Sequence, residues 1–476
     1  SSAGSRQPRG AALGLHTHPC PLPARSMFTA TLLLLLLATS SPAPSPQAGA
    51  LGNADVPRDD QKGPNPNFER AQLQPLELSA DGRRLYALNS AGARLAGFDV
   101  ASGAHVLDIA VGIGGVSVAR RPGTEELWVV DSLASTVFVV DPAQAAIVRS
   151  VRVGAQPHGI AFTPDGDRAY VTCSGVDRVD VLHGATARVV RSIPVPVKQP
   201  RGIVWAAGHA WVVPLLSGNN TAPHGRPGAP DHVGGVARVE GAGLDALPDR
   251  DLLAIATRPD PAKDHLVDAL TRTGLGTILF GVTRRPGSDE LWIPNTEALN
   301  ADFTGERSFV EGQVVSNRIT RVRFGTGAPA QVIDLDALAP AGERLAQPTH
   351  VAFDAAGQRA YVCGFGSERI GVLDVLPGGQ VRWAGSFALS PLQSYPDGAG
   401  PRQALVHPTG RQLFVYHRLG NALGAVDLAS LPSGGGPFSV VAPPPVPLGF
   451  EALTGEERHG RFLFSYARLS RSGTSS

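Results

Sequence analysis

Cysteine and methionine are scarce in this sequence, and charged residues are few. Three cysteines and one methionine occur among 476 residues, and 17% of the residues are charged. No Cys/His spacing typical of a zinc site and no Cys-x-x-Cys-His motif is present. The cysteines therefore carry no metal motif.

The sequence also lacks an excess of either charge and a long apolar run. Lysine and arginine number 42 against 41 acidic residues, so neither a basic field for nucleic acid nor an acidic tail exists. No stretch of the mature chain approaches the 18 apolar residues of a membrane helix, so we expect no membrane span. Hydrophobic residues make up 42%, which is enough to build a core and argues against disorder.

Glycine and proline are abundant, with 56 and 41 residues, and they punctuate a repeat of about 40 residues. The clearest copy, residues 156–195, reads QPHGIAFTPDGDRAYVTCSGVDRVDVLHGATARVVRSIPV. Its tight turns need a residue that accepts positive φ, and the strand that follows each turn carries an aromatic residue. The turn glycines are Gly82, Gly123, Gly166, Gly208, Gly287, Gly357 and Gly410. The aromatic residues are Tyr86, Trp128, Tyr170, Trp211, Trp292, Tyr361 and Phe414.

Each copy holds four short apolar runs of strand length, often with Asp-Val at the end of the third. Four strands in each of seven units predict an all-β fold, a seven-bladed β-propeller of four-stranded antiparallel blades over residues 75–439. The twist between neighbouring strands excludes a single flat sheet of so many strands. A solenoid would need polar caps at its two ends, which the sequence lacks. We expect Phe98, Phe162, Trp205 and Phe353 to be packed. Cys173 and Cys363 fall in units three and six, so we expect buried thiols and no disulfide.

The later units carry insertions. The turn glycines are 41, 43 and 42 residues apart at first, and then 79, 70 and 53. Segments 216–235 and 297–317 leave after the second strand of their blades, which predicts two long loops on one face; ordinary loop variation is the alternative. Segment 249–276 is expected to join blades four and five, and helix-like spacing at 264–270 predicts a short helix within it.

The first 74 residues divide into a leader, 1–50, and an N-terminal linker, 51–74. Met27 and the apolar core 32–37, followed by small residues up to Ala50, predict a secretory signal that begins near residue 27. The mature protein would then be exported, to the periplasm or outside the cell. A low-complexity leader without a sorting role is the alternative. Whether residues 68–73 add a strand to blade seven stays open.

The other end changes character after a Pro-rich linker, 440–450. Pro-rich segments act as stiff connectors, so residues 451–476 are interpreted as the truncated start of a second domain.

Two resemblances follow from these residues. The segment 168–172 (RAYVT) after Pro-Asp-Gly, preceded by QPHGIAF, and the copies at 199–213 and 347–363 resemble the YVTN-type β-propeller repeat family. That varied family includes surface and periplasmic binding proteins. The C-terminal edge, 460–476, resembles the start of a cytochrome c peroxidase-like di-haem c-type domain. This second resemblance implies haem c and a redox partner in a domain after Ser476, because no haem ligand is expected within this chain.

Four residues are candidates to face a ligand at the channel mouth. His158, Arg201 and Arg402 precede or begin a first strand at equivalent positions, and His350 is offset by one residue. A ring of cationic and imidazole groups would suit an anionic or metal-bound ligand. The alternative is that these polar residues cap their strands by bonding to backbone. No catalytic residue and no metal ligand can be named, and Asp131, Asp141 and Asp180 are interpreted as backbone-capping residues.

Three functions remain in competition. The first is an exported propeller that serves as docking platform for a haem c domain, with electron transfer or peroxidase-like chemistry in that domain and none in the propeller. The second is a non-enzymatic periplasmic or surface binding propeller. The third is a lactonase-like hydrolase, which would need a cluster of carboxylates that the sequence does not reveal.

Overall fold

The computed structural model describes residues 72–218, 236–237, 247–298, 315–325, 327–390, 398–431, 438–449 and 455–465. All of them lie in one unit that spans residues 56–476. The predicted leader, the linker up to residue 71, most of both predicted loops and residues 466–476 lie outside the described residues.

The first twelve strands of the described residues form three antiparallel meanders, each a separate four-stranded sheet. The first contains β1 (Leu76–Leu78), β2 (Arg84–Asn89), β3 (Arg94–Asp99) and β4 (His105–Ala110). The second contains β5 (Gly115–Arg120), β6 (Leu127–Asp131), β7 (Thr136–Asp141) and β8 (Ala146–Arg152). The third contains β9 (Pro157–Phe162), β10 (Arg168–Cys173), β11 (Arg178–His183) and β12 (Val189–Pro194).

Two further meanders share one nine-stranded sheet. The nine strands are β13 (Lys198–Ala206), β14 (His209–Leu216), β17 (Leu253–Ala256), β18 (His265–Leu266), β19 (Ile278–Leu279), β20 (Thr283–Arg284), β21 (Glu290–Ala298), β22 (Val315–Arg323) and β23 (Gln331–Asp334); between β14 and β17 in the chain lie two further strands, β15 (Val236–Ala237) and β16 (Leu247–Pro248). The fourth meander is β13-β14-β17-β18 and the fifth is β20-β21-β22-β23; β19 pairs with both β14 and β21 and joins them. Strands β15 and β16 pair only with each other among the described residues.

The last two meanders complete the series. A short helix, α1 (Leu335–Leu338), leads to β24 (Pro348–Phe353), β25 (Arg359–Gly364), β26 (Arg369–Val375) and β27 (Val381–Ala388), followed by β28 (Pro401–Val406), β29 (Gln412–His417), β30 (Ala422–Asp427), β31 (Phe438–Val441), β32 (Val446–Pro447) and α2 (Gly455–Ser465). The sixth meander is β24-β25-β26-β27, and the seventh is β28-β29-β30-β32. Strand β31 pairs in parallel with β27, as a fifth strand of the sixth sheet.

The repeat pattern read from the sequence is confirmed at its turns and in its core. All seven turn glycines have positive φ, between 64° and 77°, a region that favours glycine because other residues meet steric strain there. All seven aromatic residues are buried, at 4% exposure or less. Phe98 is buried, whereas Phe162, Trp205 and Phe353 are half-buried at the edges of the apolar clusters. Both cysteines are buried free thiols.

The apolar core consists of clusters that lie between successive meanders. Six of them lie one in each gap between consecutive meanders, from the gap between the first and second to the gap between the sixth and seventh. Another joins the seventh meander to the first, with Phe414 and Tyr416 packed among Leu76 and Leu85. Hydrogen bonds support this last contact, because Leu76 N donates to Gln403 Oε1 at 2.7 Å and Tyr416 Oη donates to Leu88 O at 2.8 Å. The last meander therefore packs against the first.

The first strands of all seven meanders enclose one space, which we call the channel. One residue from each strand lines the same cavity: Leu76, Val118, Ile160, Val204, Thr283, Val351 and Ala404. The end of the channel at which these strands begin is its mouth, and the hairpin turns lie at the other end. The second strands run back from those turns and end at the mouth.

The segment 249–276 differs from the expectation. It contributes β17 and β18, the third and fourth strands of the fourth meander, and two single 3-10 turns, Pro261–Lys263 and Asp268–Leu270, instead of a helix. The buried carboxylate of Asp264 explains the local path, because it binds Arg168 at 3.0 Å and accepts a hydrogen bond from Tyr170 at 2.7 Å. Of the apolar residues in that spacing, Leu266 packs against the cluster between the third and fourth meanders and Leu270 against the cluster between the fourth and fifth.

The expected linker 440–450 also differs from the prediction. Strand β31 extends into it and β32 lies within it, and both pair with strands of the sheets. Leu448 is buried in the cluster between the seventh and first meanders, and Asn89 Nδ2 donates to its carbonyl at 3.1 Å. The segment is thus part of the sheet structure: Leu448 packs between the last and first meanders, and Ala442 packs between the sixth and seventh.

Candidate functional site

A β-bulge recurs where the first strands begin. Pairing shifts by one residue after Pro157, Pro200, Pro348 and Pro401, so the residue that follows each proline falls in the irregular part of the ladder. Those residues are His158, Arg201, Thr349 and Arg402. A bulge redirects a side chain without ending the strand, which is why bulges are frequent next to functional sites.

Arg402 is the more buried of the two predicted arginines, at 6% exposure. Its Nε donates to the carbonyl of Gln72, and it forms no ion pair with any residue in the described part of the chain. Burial, together with repulsion from Arg418 and Arg201, lowers the pKa of Arg402 to about 9. The mouth therefore gathers positive charge around a guanidinium that is largely removed from water.

The other three predicted residues are divided between two environments. His158 is 2% exposed, and its Nδ1 lies 3.0 Å from Gln156 O and 3.1 Å from Ser174 Oγ. This is the backbone-capping geometry that competes with a ligand role. Arg201 is half-buried and Nη2 donates to Gln199 Oε1 at 3.3 Å.

His350 lies deeper, on the wall of the channel cavity. Burial lowers its pKa to about 4, with the charge of Arg402 as a second cause, so the imidazole is neutral at pH 7. The structure thus brings Arg201, Arg402 and His350 within electrostatic reach of one another and ties His158 back to its own strand. The ligand-facing role of the four residues stays a prediction.

Sequence reasoning missed the segment that fills the channel. Leu73 N donates to Val116 O at 2.8 Å, and Val118 N donates to Gln74 O at 2.8 Å, so residues 72–74 run along the second meander inside the channel. The Leu73 side chain is 6% exposed and faces two glycines: a Cβ added at Gly159 would lie 3.1 Å from Leu73 Cδ2, and one at Gly281 would lie 3.9 Å from Cδ1. The sequence signal for a close approach to these strands was the glycine that ends Pro-His-Gly at 157–159 and Pro-Arg-Gly at 200–202.

Further arginines lie at the mouth and escaped the sequence reading. Arg418 and Arg461 line one small cavity together with Gln72, Tyr416 and Asn421. Arg461 belongs to α2, and its Nη2 donates to Leu419 O at 2.8 Å. Phe462 packs beside it, since a Cβ added at Gly398 would lie 2.5 Å from Phe462 Cδ2. The C-terminal helix therefore contacts the loops at the channel mouth.

Two of the three aspartates interpreted as capping residues have that role alone. Asp131 accepts from the amides of Leu133 and Ala134 at 2.9 and 2.8 Å, and Asp141 accepts from Ala143 N at 2.8 Å, which is the usual function of Asp at strand ends.

Asp180 lies within β11 and has a mixed role. It accepts from Gly154 N at 2.7 Å, but it also accepts from Ser192 Oγ at 2.6 Å and forms an ion pair with Arg178 at 2.9 Å.

Asp251 is a different kind of buried acid, at the start of β17 near the mouth. It is fully buried, Leu275 N donates to its Oδ2 at 2.6 Å, and its Oδ1 has no hydrogen-bond partner among the described residues. Burial raises the pKa of this carboxyl to about 7.

We expect Asp251 to make stability fall as pH rises. Between pH 4 and pH 7 this residue ionises in the unfolded chain but keeps its proton in the folded chain. Rising pH therefore stabilises the unfolded state relative to the folded state. The wild type should lose up to about 4 kcal/mol of unfolding free energy over this window relative to Asp251→Asn. Urea unfolding at several pH values measures both, with Asp268→Asn, at an exposed aspartate, as the matched control. Parallel pH curves for the wild type and Asp251→Asn would contradict the assignment.

No group of three or more His, Cys, Asp or Glu residues in the described ranges is arranged to hold a metal ion. None of the helices that the structure describes has the length and apolarity to cross a membrane.

Successive four-stranded antiparallel meanders around a central channel define a β-propeller protein. No protein-family model and no curated protein matches the sequence. Solved structures do. A chain of hydrazine synthase from Kuenenia stuttgartiensis has a TM-score of 0.58 and 20% identity, and the match covers 77% of this chain and 99% of that one.

Two other solved chains are similar in fold. One is a functionally unknown protein from Desulfotomaculum acetoxidans, with a TM-score of 0.50 and 12% identity over 74% of this chain and 94% of that chain. The other belongs to a mitotic checkpoint complex, with a TM-score of 0.50 and 11% identity over 81% and 96%. At these identities the similarity establishes the propeller fold alone.

Proposed function

We propose that the chain is a seven-bladed β-propeller that serves as a docking platform, with the channel mouth as its docking face. The seven meanders are the blades, and the contact between the last and the first closes the ring. The pairing of Leu76 with Gln403 across that contact supports this count. Radial packing of blades protects their strand edges and yields a rigid scaffold, which suits binding more than motion.

One observation carries the docking role: the helix that follows the last blade contacts the mouth. Arg461 and Phe462 of α2 contact the loops at Leu419 and Gly398, beside the arginines around Gln72. A domain attached after α2 would begin at this face. The positive charge gathered around Arg402 would favour an acidic surface there, because complementary charge steers and orients association.

The identity of the docked domain rests on the sequence. Residues 460–476 resemble the start of a di-haem c-type domain, and we propose that such a domain follows Ser476, carries haem c and supplies the redox chemistry. The described residues do not fit haem attachment themselves, since Cys173 and Cys363 are buried and separate. Similarity to a chain of hydrazine synthase is compatible with a propeller that works within an enzyme. Export through the leader would place the protein in the periplasm or outside the cell.

The redox part is tested by reading the transcript past the codon for Ser476 and assaying covalent haem in the complete purified protein. A Cys-x-x-Cys-His motif with bound haem supports it. A stop codon close to Ser476 overturns it and leaves the second candidate, a free-standing binding propeller.

Docking is tested separately by photo-cross-linking in the complete protein. A photoreactive residue at Ala91, which lines the cavity with Arg418 at the mouth, should cross-link to the C-terminal domain or to a partner. The same residue at Ala101, exposed in the turn between β3 and β4 at the other end of the blade, is the control. Equal cross-linking from both positions, or none from Ala91, would contradict the choice of docking face.

A further inference from the structure

The channel contains a cavity of about 430 Å³ beyond the segment that fills the mouth. Gln74 lies at its inner end, next to Leu73. Arg120 and Arg284, the last residues of their strands, line the end toward the hairpin turns. The volume lies in the range of sites that enclose small molecules.

The walls of this cavity are apolar over most of their height. Apolar residues of six first strands line it, namely Leu76, Val118, Ile160, Val204, Val351 and Leu405, and Val282 directly precedes the first strand of the fifth meander. Aliphatic walls stabilise an apolar ligand body by removing its surface from water, at about 25 cal/mol per Å². Aliphatic walls form no hydrogen bonds with the ligand body, so specificity has to come from the polar groups that line the cavity.

Two of the charged groups that line the cavity are already satisfied by the protein. Glu77 accepts hydrogen bonds from Leu78 N at 3.0 Å and from Arg120 N at 3.2 Å. The Arg120 side chain donates to Leu78 O at 3.2 Å and to Thr124 O at 3.1 Å. The two residues also attract each other, and burial raises the pKa of Glu77. Together they form a compensated pair.

Arg284 is the uncompensated charge. Its side chain is exposed, and it forms no hydrogen bond or ion pair with any described residue; its guanidinium lies 5.9 Å from the centre of the Phe324 ring. With Glu77 and Arg120 cancelling, the lining keeps one net positive charge at the open end. An arginine at the rim of an apolar pocket matches a carboxylate, which it can bind through two parallel hydrogen bonds.

His350 supplies a neutral polar group on the same wall. Its Nδ1 is buried and has no hydrogen-bond partner among the described residues. A neutral imidazole can donate from one nitrogen and accept at the other, so it suits an uncharged polar atom on the ligand body and disfavours a second carboxylate.

We propose that this cavity binds a small organic monocarboxylate with an apolar body. The carboxylate pairs with Arg284 at the open end, and the aliphatic walls enclose the body. The site lies at the opposite end of the inner strands from the docking face, so it stands whether or not a haem domain is attached.

Calorimetric titration of the purified protein with decanoate tests the proposal. We expect saturable binding of decanoate, weaker binding of the neutral decanamide, and no binding of decyltrimethylammonium, which places a cation against Arg284. Arg284→Ala should weaken decanoate binding at least tenfold and leave decanamide unchanged. Arg83→Ala removes an arginine that is 84% exposed in a turn and is the matched control.

A second variant tests the cavity rather than the charge. Val204→Trp places a large side chain in the wall and should abolish binding of decanoate and decanamide alike, with folding checked by circular dichroism. If this variant does not fold, the decanoate titration of Arg284→Ala decides alone, because Arg284 is exposed and its replacement leaves the core intact. The proposal is overturned if the wild type shows no saturable decanoate binding, if Arg284→Ala binds decanoate as well as the wild type does, or if folded Val204→Trp still binds it.

Discussion

Truncation of the chain after Ala442 is expected to destabilise the propeller by about 4 kcal/mol or more. The truncation removes β32, the fourth strand of the last meander, and with it Leu448, which is 3% exposed in the cluster between the seventh and first meanders. Loss of one fully buried leucine costs about 2–5 kcal/mol, and the unpaired edge of β30 adds to it. Urea unfolding followed by circular dichroism measures the difference.

A shorter truncation, after Gly449, separates this effect from loss of the C-terminal helix. It removes α2 but keeps β32 and Leu448, so its unfolding free energy should stay within about 1 kcal/mol of the full chain, because the side chain of Arg461 makes one hydrogen bond to Leu419. If both truncations destabilise equally, β32 does not close the ring.

Replacement of Trp292 by alanine is expected to cost about 4 kcal/mol. The ring is fully buried, lies edge-on to Phe353 with centroids 5.0 Å apart, and has Arg321 5.7 Å from its centre. Removing so large a core side chain leaves a cavity that the rigid neighbouring strands cannot fill. Val332→Ala, at a residue 54% exposed in β23, should change stability by less than about 0.5 kcal/mol.

A pair of phenylalanine variants tests the polar part of the same effect. Trp292 Nε1 donates to Glu290 Oε2 at 3.2 Å, whereas Trp128 Nε1 has no partner among the described residues although Trp128 is equally buried. Trp292→Phe should therefore cost about 1–2 kcal/mol more than Trp128→Phe, because only the former removes a hydrogen bond to a buried carboxylate, which keeps Arg285 as its other donor. Equal losses would show that packing alone accounts for both residues.

The fold could be predicted where local chemistry repeats. A turn glycine and the aromatic residue after it recur in every unit because each turn needs positive φ and each gap between blades needs a large apolar side chain. Strands β17 and β18 escaped prediction because an insertion separates them from their meander and an ion pair between Arg168 and Asp264 directs the chain. Strand β32 escaped because a Pro-rich sequence suggests a connector until its partner β30 is known.

The candidate site could be predicted only in part, for a related reason. The repeat revealed the positions of Arg201 and Arg402, since both lie at the same point of it, where a first strand begins. It could not reveal that Leu73 fills the channel, because that contact depends on Gly159 and Gly281 from different units. Nor could it reveal Arg284, which looks like an ordinary turn-flanking arginine until the seven strands surround a cavity.

The contact between Leu76 and Gln403 joins residues 327 positions apart. During synthesis from the N-terminus, the first blade is made early. The last blade and Leu448, which pack against it, are made last. We therefore expect a nascent chain to wait with one blade face uncovered until almost the whole propeller has left the ribosome, and the long loop that must close makes this step slow. Leu73 can be enclosed only as the ring forms around it, so completion of the ring and filling of the channel are one event.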